Sequence, residues 1–318
     1  MRTSARMLRF DQPVIVTGAA GCLGAWVIAR LVQDGNPAVA FDLSDERRRL
    51  GLLIGEKEAA GVPWHRADIA DPEALDDVVR QHSAGTIIHL AALQVPFCKA
   101  NPLAGARANV VGHTNVLEVA RRRGIRRLVY ASSVAVWSAA GEREPATLYG
   151  VYKAADEAIA RIYWQDWSVP SVGLRPHTVY GEGRDQGLTS APSQAMLAAA
   201  AGRPFTIPFT GGLQFQHAGD VAEAILRCAA AEVAGAEVFD LGGPLVTVEE
   251  IVTAIRRVAD GAEIDCEGDP LPFPSDRQAG GLNALIGSLE WRRLEEGVAE
   301  TVAAFGDLLK RGLVSPAA

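Results

Sequence analysis

The chain has 318 residues, 48% of them hydrophobic, and its 31 Lys and Arg against 38 Asp and Glu give a formal net charge of −7. That length buries a sizeable core and corresponds to about two structural units or one large α/β unit. The acidic balance argues against a nucleic-acid footprint, which needs a basic face, and the Gly and Pro content excludes collagen-like and most disordered chains.

In chain order, the stretch from Met1 to Asp11 carries Arg2, Arg6 and Arg9 and imitates the basic region of a signal peptide. The apolar run that follows, Val14-Ile15-Val16-Thr17-Gly18, is too short for one. No run of about 18 apolar residues suggests a membrane span. Strands are predicted over 14–17, 38–42, 63–67, 86–90, 127–132 and 171–175. Helices are predicted over 23–34, 72–82, 102–123 and 149–167. Apolar strands alternating with helices of this length imply βαβ units and a parallel sheet covered on both faces. Arg47, Arg48 and Arg49 read as an exposed helix face.

Past Pro176 the rhythm breaks. Residues 181–216 are rich in Gly, Pro, Ser and Thr, with one Ala-rich helix near 193–202. A helix at 220–232, a strand at 237–241 and a helix at 247–260 with Thr247 as N-cap follow. A Pro-rich loop at 269–274 and a final helix at 289–308 end the chain. The second half reads as a smaller lobe woven onto the first. The cysteines, Cys22, Cys98, Cys228 and Cys266, form no CxxC pattern. No metal site is expected, and a reduced cytoplasmic compartment is the simpler reading.

Four features carry chemistry. Thr17-Gly18-Ala19-Ala20-Gly21-Cys22-Leu23-Gly24 follows the first strand and opens the first helix. Glycines there permit a tight turn, a close approach of backbone to a pyrophosphate and close helix–strand packing. The helix start, at Cys22 and Leu23, offers free N–H groups to the anion. Asp42 ends the second strand, where a carboxylate accepts both ribose hydroxyls and repels a 2′-phosphate, which favours NAD over NADP. Tyr149 and Lys153 stand four apart on one predicted helix face, and lysine occurs only four times in the chain. An ammonium beside a phenol favours the phenolate, which makes such a tyrosine a general acid/base. Ser132 and Ser133 end the fifth strand, where hydroxyls face the ligand crevice.

Together these features resemble the extended short-chain dehydrogenase/reductases, in the NAD-dependent epimerase/dehydratase branch. The matching elements run in order from about residue 13 to 245. They are the Gly18-x-x-Gly21-x-x-Gly24 turn, Asp68-Ile69, His89-Leu90-Ala91-Ala92, Asn109-Val110-Val111-Gly112-His113-Thr114-Asn115-Val116, Tyr149-x-x-x-Lys153, Leu174-Arg175-Pro176 and Val179-Tyr180-Gly181. The resemblance implies an α/β fold: a Rossmann-type doubly wound parallel sheet with a smaller C-terminal substrate-binding lobe. Residues 1–175, with roughly 214–248, would form the NAD-binding domain, and 176–213 and 249–318 the lobe. It implies Asp68 and Ile69 at the adenine end, and Leu90, Ala91 and Ala92 along the cofactor. Asn109 would support the nearby strand and helix, Lys153 would bind the nicotinamide ribose, and Pro176 would lie beside the nicotinamide. Alignment puts Ser133, rather than Ser132, in the catalytic position with Tyr149 and Lys153. Gln94, Ser133, His177 and Thr178 fall on the substrate side. The helices at 102–123 and 149–167 would form a homodimer interface.

The chain also departs from the pattern. No acid follows Ser133, where Val134-Ala135-Val136-Trp137 stands, so dehydration and decarboxylation lack their proton donor. Thr178 replaces a usual Asn. Leu213-Gln214-Phe215-Gln216, ahead of His217-Ala218-Gly219-Asp220, lacks the arginine that neutralises a nucleotide diphosphate. Arg203 or Arg277 could substitute from elsewhere. The polar loop at 183–189 could line a substrate pocket. The reading is an NAD-dependent oxidoreductase with reversible hydride transfer at a secondary alcohol or ketone of a sugar, sugar acid or similar small hydroxylated substrate. The alternatives are a nucleotide-sugar 4-epimerase that retains NAD, and a cofactor-sensing regulator without turnover.

Overall fold

The computed structural model describes residues 8–316, so Arg2 and Arg6 of the basic N-terminal stretch lie outside the described residues. Strand β1 (Val14–Thr17) turns into helix α1 (Cys22–Gln33), followed by β2 (Ala38–Asp42), α2 (Arg48–Ile54), α3 (Glu56–Ala60), β3 (Trp64–Arg66) and α4 (Pro72–His82). Next come β4 (Thr86–His89), α5 (Val95–Ala100), α6 (Pro102–Ala106), a π-helical segment (Arg107–Val111), α7 (Gly112–Arg123) and β5 (Arg127–Ala131). A 3₁₀ turn (Val134–Val136) leads to α8 (Leu148–Trp167), β6 (Ser171–Arg175), β7 (Thr178–Tyr180), α9 (Ala191–Ala200), β8 (Phe205–Ile207) and β9 (Gly212–His217). The chain closes with α10 (Ala218–Ala230), β10 (Ala236–Asp240), β11 (Leu245–Thr247), α11 (Val248–Val258), β12 (Ile264–Cys266), α12 (Leu282–Ile286) and α13 (Leu294–Lys310).

Seven strands form one parallel sheet in the order β10-β6-β5-β4-β1-β2-β3. The direction of winding reverses between β1 and β4, and in such sheets ligands bind outside the carboxyl ends of the strands at that switch. One face is covered by α1 and α10, whose Val27, Ile28, Val221 and Ile225 share a core with Val14 and Val16. The other packs Leu75 and Val79 of α4 and Val116, Leu117 and Ala120 of α7 against Ile15, Ile87 and Leu128. A separate core joins α9, α11 and α13 to β8 and β9 through Met196, Phe215, Ile251 and Phe305. β7, β9 and β11 make a three-stranded sheet, and β8 and β12 a parallel pair.

Local signals explain the best-placed ends. Asp71 caps α4 by accepting from Glu73 N and Ala74 N, with Pro72 behind it. Thr247 and Glu250 form a reciprocal capping box on α11. Three expectations are corrected. The helix at 102–123 is not continuous: five π-helical residues interrupt it, and there the buried Asn109 accepts from Leu93 N at 2.7 Å and donates to Leu93 O at 3.0 Å. The last helix starts at Leu294, because Asp220 accepts from both the backbone N–H and the guanidinium of Arg292 and holds the preceding residues extended. Of the triplet Arg47–Arg49 only Arg48 is exposed. Arg47 donates to the carbonyls of Ala59, Ala60 and Val62, and Arg49 turns inward to the carbonyls of Ala20 and Gly183.

Candidate active site

A cleft of about 660 Å³ opens at the carboxyl ends of the sheet strands. Its floor is the glycine turn. Gly18 has φ +70°, and a Cβ there would stand 2.6 Å from Ala91 N and Leu90 C. A Cβ on Gly24 would stand 2.2 Å from Gly18 O. The first glycine therefore allows β1 to pass close to the β4 loop, and the third lets α1 sit directly on the turn. Thr17 ties the two strand ends together: its hydroxyl lies 2.7 Å from His89 Nδ1 and accepts from Leu90 N at 3.2 Å. Gly21, Cys22 and Leu23 line the cleft above this turn, and burial pushes the Cys22 thiol up to about 12. The backbone cradle at a helix N-terminus, closed to any Cβ, fits a dinucleotide pyrophosphate.

Asp42 lines the same cleft and is oriented from behind, its carboxylate accepting from Ala20 N at 3.0 Å and Ser44 N at 2.9 Å. Asp68 and Ile69 lie further along that wall, where Asp68 accepts from Ala70 N and pairs with Arg107 at 3.3 Å. Leu90, Ala91, Ala92 and Gln94 form the opposite lip. Asn109 does not reach the cleft; it anchors the Leu93 backbone from beneath.

Tyr149 and Lys153 project from the first turns of α8. Thr147 fixes the register by accepting from Gly150 N at 3.1 Å. Gly150 is required where α8 crosses the 3₁₀ turn, since a Cβ would stand 2.2 Å from Ala135 O. Lys153 Nζ lies 5.9 Å from the Tyr149 ring centroid and donates to Asp156 Oδ2 at 3.2 Å. Burial opposes the Lys153 charge, but Asp156 and Tyr149 outweigh it and hold the ammonium above its ordinary value. Burial pushes the Asp156 carboxyl up to about 7 against the pull of Lys153.

The two serines part company. Both line the cleft just past the end of β5, one and two residues beyond the observed strand. Ser132 donates to Glu157 at 2.5 Å and is committed to the buried Glu157–Arg175 pair, which the exposed Arg143 joins from outside. Burial works against the Glu157 carboxylate, yet Arg175 and Ser132 hold it below its ordinary value. Ser133 only accepts, from Ala135 N at 3.1 Å, so its hydroxyl proton is available to the cleft.

Pro176 and His177 line the cleft from the β6–β7 corner. His177 is locked by Thr178 Oγ1 at 3.2 Å and Pro274 O at 2.8 Å, and burial pushes it down to about 4. It is a neutral group here. Thr178 is a correction: it is fully buried behind His177 and does not line the cleft. Neither Arg203 nor Arg277 is there either. Arg277 reaches Asp240 at 3.4 Å and lies over Trp137. The 183–189 loop does reach the cleft, through Arg184, Gln186, Gly187, Leu188 and Thr189. Sequence reasoning missed Pro272 and Phe273, which close the cleft from the Pro-rich loop, with Phe273 edge-on to His177 at 5.2 Å between centroids. It also missed the short α5, whose Gln94–Val95–Pro96 start carries a Pro at the first turn that could have signalled a helix.

The sequence profile of the NAD dependent epimerase/dehydratase family matches residues 14–242. The chain belongs to this family. It is an NAD-dependent enzyme of the extended short-chain dehydrogenase/reductase type, with NAD as its cofactor. It is 32% identical to a probable UDP-glucuronate 4-epimerase of Rhizobium meliloti, over 67% of each chain. It is 29% identical to a UDP-glucose 4-epimerase of Mycolicibacterium smegmatis, over 92% of this chain and 97% of that one. The structure of the Thermus thermophilus UDP-glucose 4-epimerase in complex with NAD superimposes with a TM-score of 0.79 at 25% identity, covering 95% of this chain and all (100%) of that one. An L-threonine dehydrogenase of Clostridium difficile superimposes with a TM-score of 0.84 at 17% identity, covering 95% and 99%, and shares the fold.

Proposed function

We propose that the protein catalyses reversible, NAD-dependent oxidation of a secondary alcohol to a ketone on a sugar, sugar acid or similar small hydroxylated substrate. One observation carries this: Ser133, Tyr149 and Lys153 open into the cleft that the glycine turn and Asp42 also line. Bound NAD supplies the hydride acceptor. Tyr149 takes the proton of the substrate hydroxyl. Lys153 places positive charge beside the phenol where negative charge develops, and it holds the cofactor ribose. Ser133 donates its hydroxyl to the substrate oxygen and aligns it with Tyr149. Leu90, Ala91, Ala92 and Pro176 give apolar walls that exclude water from the reacting carbon. Gln94 and His177 bound the substrate end, and His177 acts there as a fixed neutral group rather than as a base.

A second reading, a UDP-sugar 4-epimerase that retains its cofactor, is favoured by the names of the relatives. Against it stands the lack of an arginine ahead of His217, where Gln214 and Gln216 are instead buried, Gln214 donating to Asp276 and Gln216 accepting from His177 N. The test is a screen at 340 nm against free sugars, sugar acids and UDP-sugars. Stoichiometric release of NADH with a free sugar or sugar acid is the expected outcome. Interconversion of UDP-sugars without NADH release establishes the second reading, and NAD binding with no turnover on any of them establishes a sensor.

We propose further that residues 1–175 with about 214–248 chiefly serve NAD and 176–213 with 249–318 chiefly the substrate, with Gln94 and Ser133 reaching the substrate from the first and Pro176 the nicotinamide from the second. The protein is proposed to act in the cytoplasm, in keeping with its four free cysteines. It is proposed to work as a homodimer through α8 and the segment before α7, where Leu103, Val111, Leu148 and Val151 are 84%, 46%, 43% and 47% exposed. Light scattering at the elution peak reads the dimer directly.

A further inference from the structure

The mechanism leaves two cations of the cleft wall unused, Arg49 and Arg184, and Arg49 already has Asp185 as its anion. Arg184 stands on the loop between β7 and α9. Its Nη1 donates to Gln186 O at 2.7 Å and lies 3.5 Å from Gln94 Oε1, and its Nη2 donates to Thr189 Oγ1 at 2.8 Å. Its Nε is shut off from solvent without a partner. Every one of these acceptors is uncharged. Among the described residues no carboxylate stands within salt-bridge distance of Arg184, since its neighbour Asp185 is taken by Arg48 and Arg49 at 2.5 and 2.6 Å.

The other sheltered guanidiniums behave differently. Arg175 has Glu157 and Asp240, and Arg292 has Asp220. A guanidinium withdrawn from water without an anion is costly, and burial accordingly depresses the Arg184 pKa. Its neutral acceptors fix the direction of the fork and leave its charge uncompensated. The loop is itself tied over the cradle, because Glu182 O accepts from Trp26 Nε1 at 3.0 Å. Arg184 thus lies between the phosphate turn and Gln94 at the substrate end.

We propose that Arg184 is the counter-charge for an oxyanion, a carboxylate or a phosphate, that a ligand carries into the cleft. This rests on the reading of the cleft as an NAD and substrate site. Two sources share the chemistry: an acid group on the substrate and the pyrophosphate of the dinucleotide. A planar guanidinium suits either, because it bonds a carboxylate or phosphate through two parallel N–H groups. If the substrate is the source, the enzyme prefers sugar acids or sugar phosphates over neutral sugars.

The experiment compares wild type with Arg184→Gln and Arg184→Lys, after melting curves show that each is folded. Three oxyanion probes are titrated: sulfate on the free protein, NAD with adenosine as its uncharged control, and glucuronate on the NAD-loaded protein with glucose as its control. Arg184→Gln is expected to weaken at least one oxyanion probe about tenfold or more and to leave both controls unchanged, with Arg184→Lys recovering part. A loss on NAD names the pyrophosphate, and a loss on glucuronate names the substrate. The proposal is overturned if the wild type responds to none of the three probes, or if Arg184→Gln matches wild type within about twofold on all of them. Failure of NAD alone, with an Arg184-dependent sulfate response, strikes the cofactor reading and leaves this proposal standing.

Discussion

The two walls of the cleft are built in different ways. The cofactor wall is made of backbone: the Gly18–Gly24 turn, the start of α1 and the Thr17 link to β4 lie at strand ends that the parallel sheet fixes. The substrate wall is made of side chains brought together over long separations: Gln94, His177, Arg184 and Phe273, with His177 locked by Pro274 and Arg184 held near Gln94. Backbone geometry tolerates no substitution at its close approaches. A wall of side chains on loops can change its ligand without disturbing the fold.

The largest effect is expected on the backbone wall. Gly24→Val places a branched side chain against Gly18 O, where even a Cβ stands 2.2 Å away. It should lower NAD affinity about 100-fold or more, about 2.7 kcal/mol, in a fluorescence titration. Near-wild-type affinity would show that the turn does not carry the pyrophosphate.

Next is Lys153→Met. It leaves Asp156 fully buried without its ammonium, and breaking such a pair costs about 3–5 kcal/mol. Denaturant unfolding should show that loss, and adding Asp156→Asn should recover most of it. If the double variant is as unstable as the single one, the buried charge is not the cause.

A third effect is pH-dependent. His113 is pushed down to about 3 chiefly by burial, with Lys153 adding to it, and His177 to about 4. Below pH 6.5 the unfolded chain takes up protons at these positions and the native state does not. Stability is therefore fully present above about pH 6.5 and falls by about 1.4 kcal/mol per unit for each histidine as the pH drops, down to about 4 for His177 and about 3 for His113. Urea midpoints between pH 7 and 4.5 should fall steeply, and His113→Phe should flatten the slope. An unchanged slope would mean that His113 is protonated in the fold.

The smallest effect is expected on the substrate wall. Phe273→Ala removes a ring from the cleft edge and from His177, and it should raise the substrate KM several-fold with NAD affinity unchanged. An equal loss on NAD would erase the distinction between the walls.

The same contrast governs what the sequence reveals. The cofactor wall was legible because each requirement falls on a local pattern: glycines at fixed spacing after an apolar strand, an acid at the end of the next strand, a Tyr and Lys one helical turn apart. Local signals also placed Pro72–His82 and Ser171–Arg175 at their observed limits. The substrate wall was only partly legible. Arg184 lay in a loop that the sequence singled out, but its lack of a carboxylate partner depends on how Asp185 is shared with Arg48 and Arg49. Phe273 gives no local sign of facing His177, some ninety-six positions earlier in the chain. Thr178 was misplaced because a strand alternates sides: in β7 Thr178 points away from the cleft while His177 and Val179 reach it. The break in the helix at 102–123 answers to Asn109 and its tertiary partner Leu93, which helical periodicity does not encode.

The central claim is that Tyr149 acts on substrate in the cleft that holds NAD. It is tested most directly by Tyr149→Phe, measured for NAD affinity and for NADH formation at 340 nm with the best substrate from the screen. The account predicts wild-type NAD affinity and a fall in turnover of about 10²–10⁴-fold. Turnover equal to wild type would contradict it.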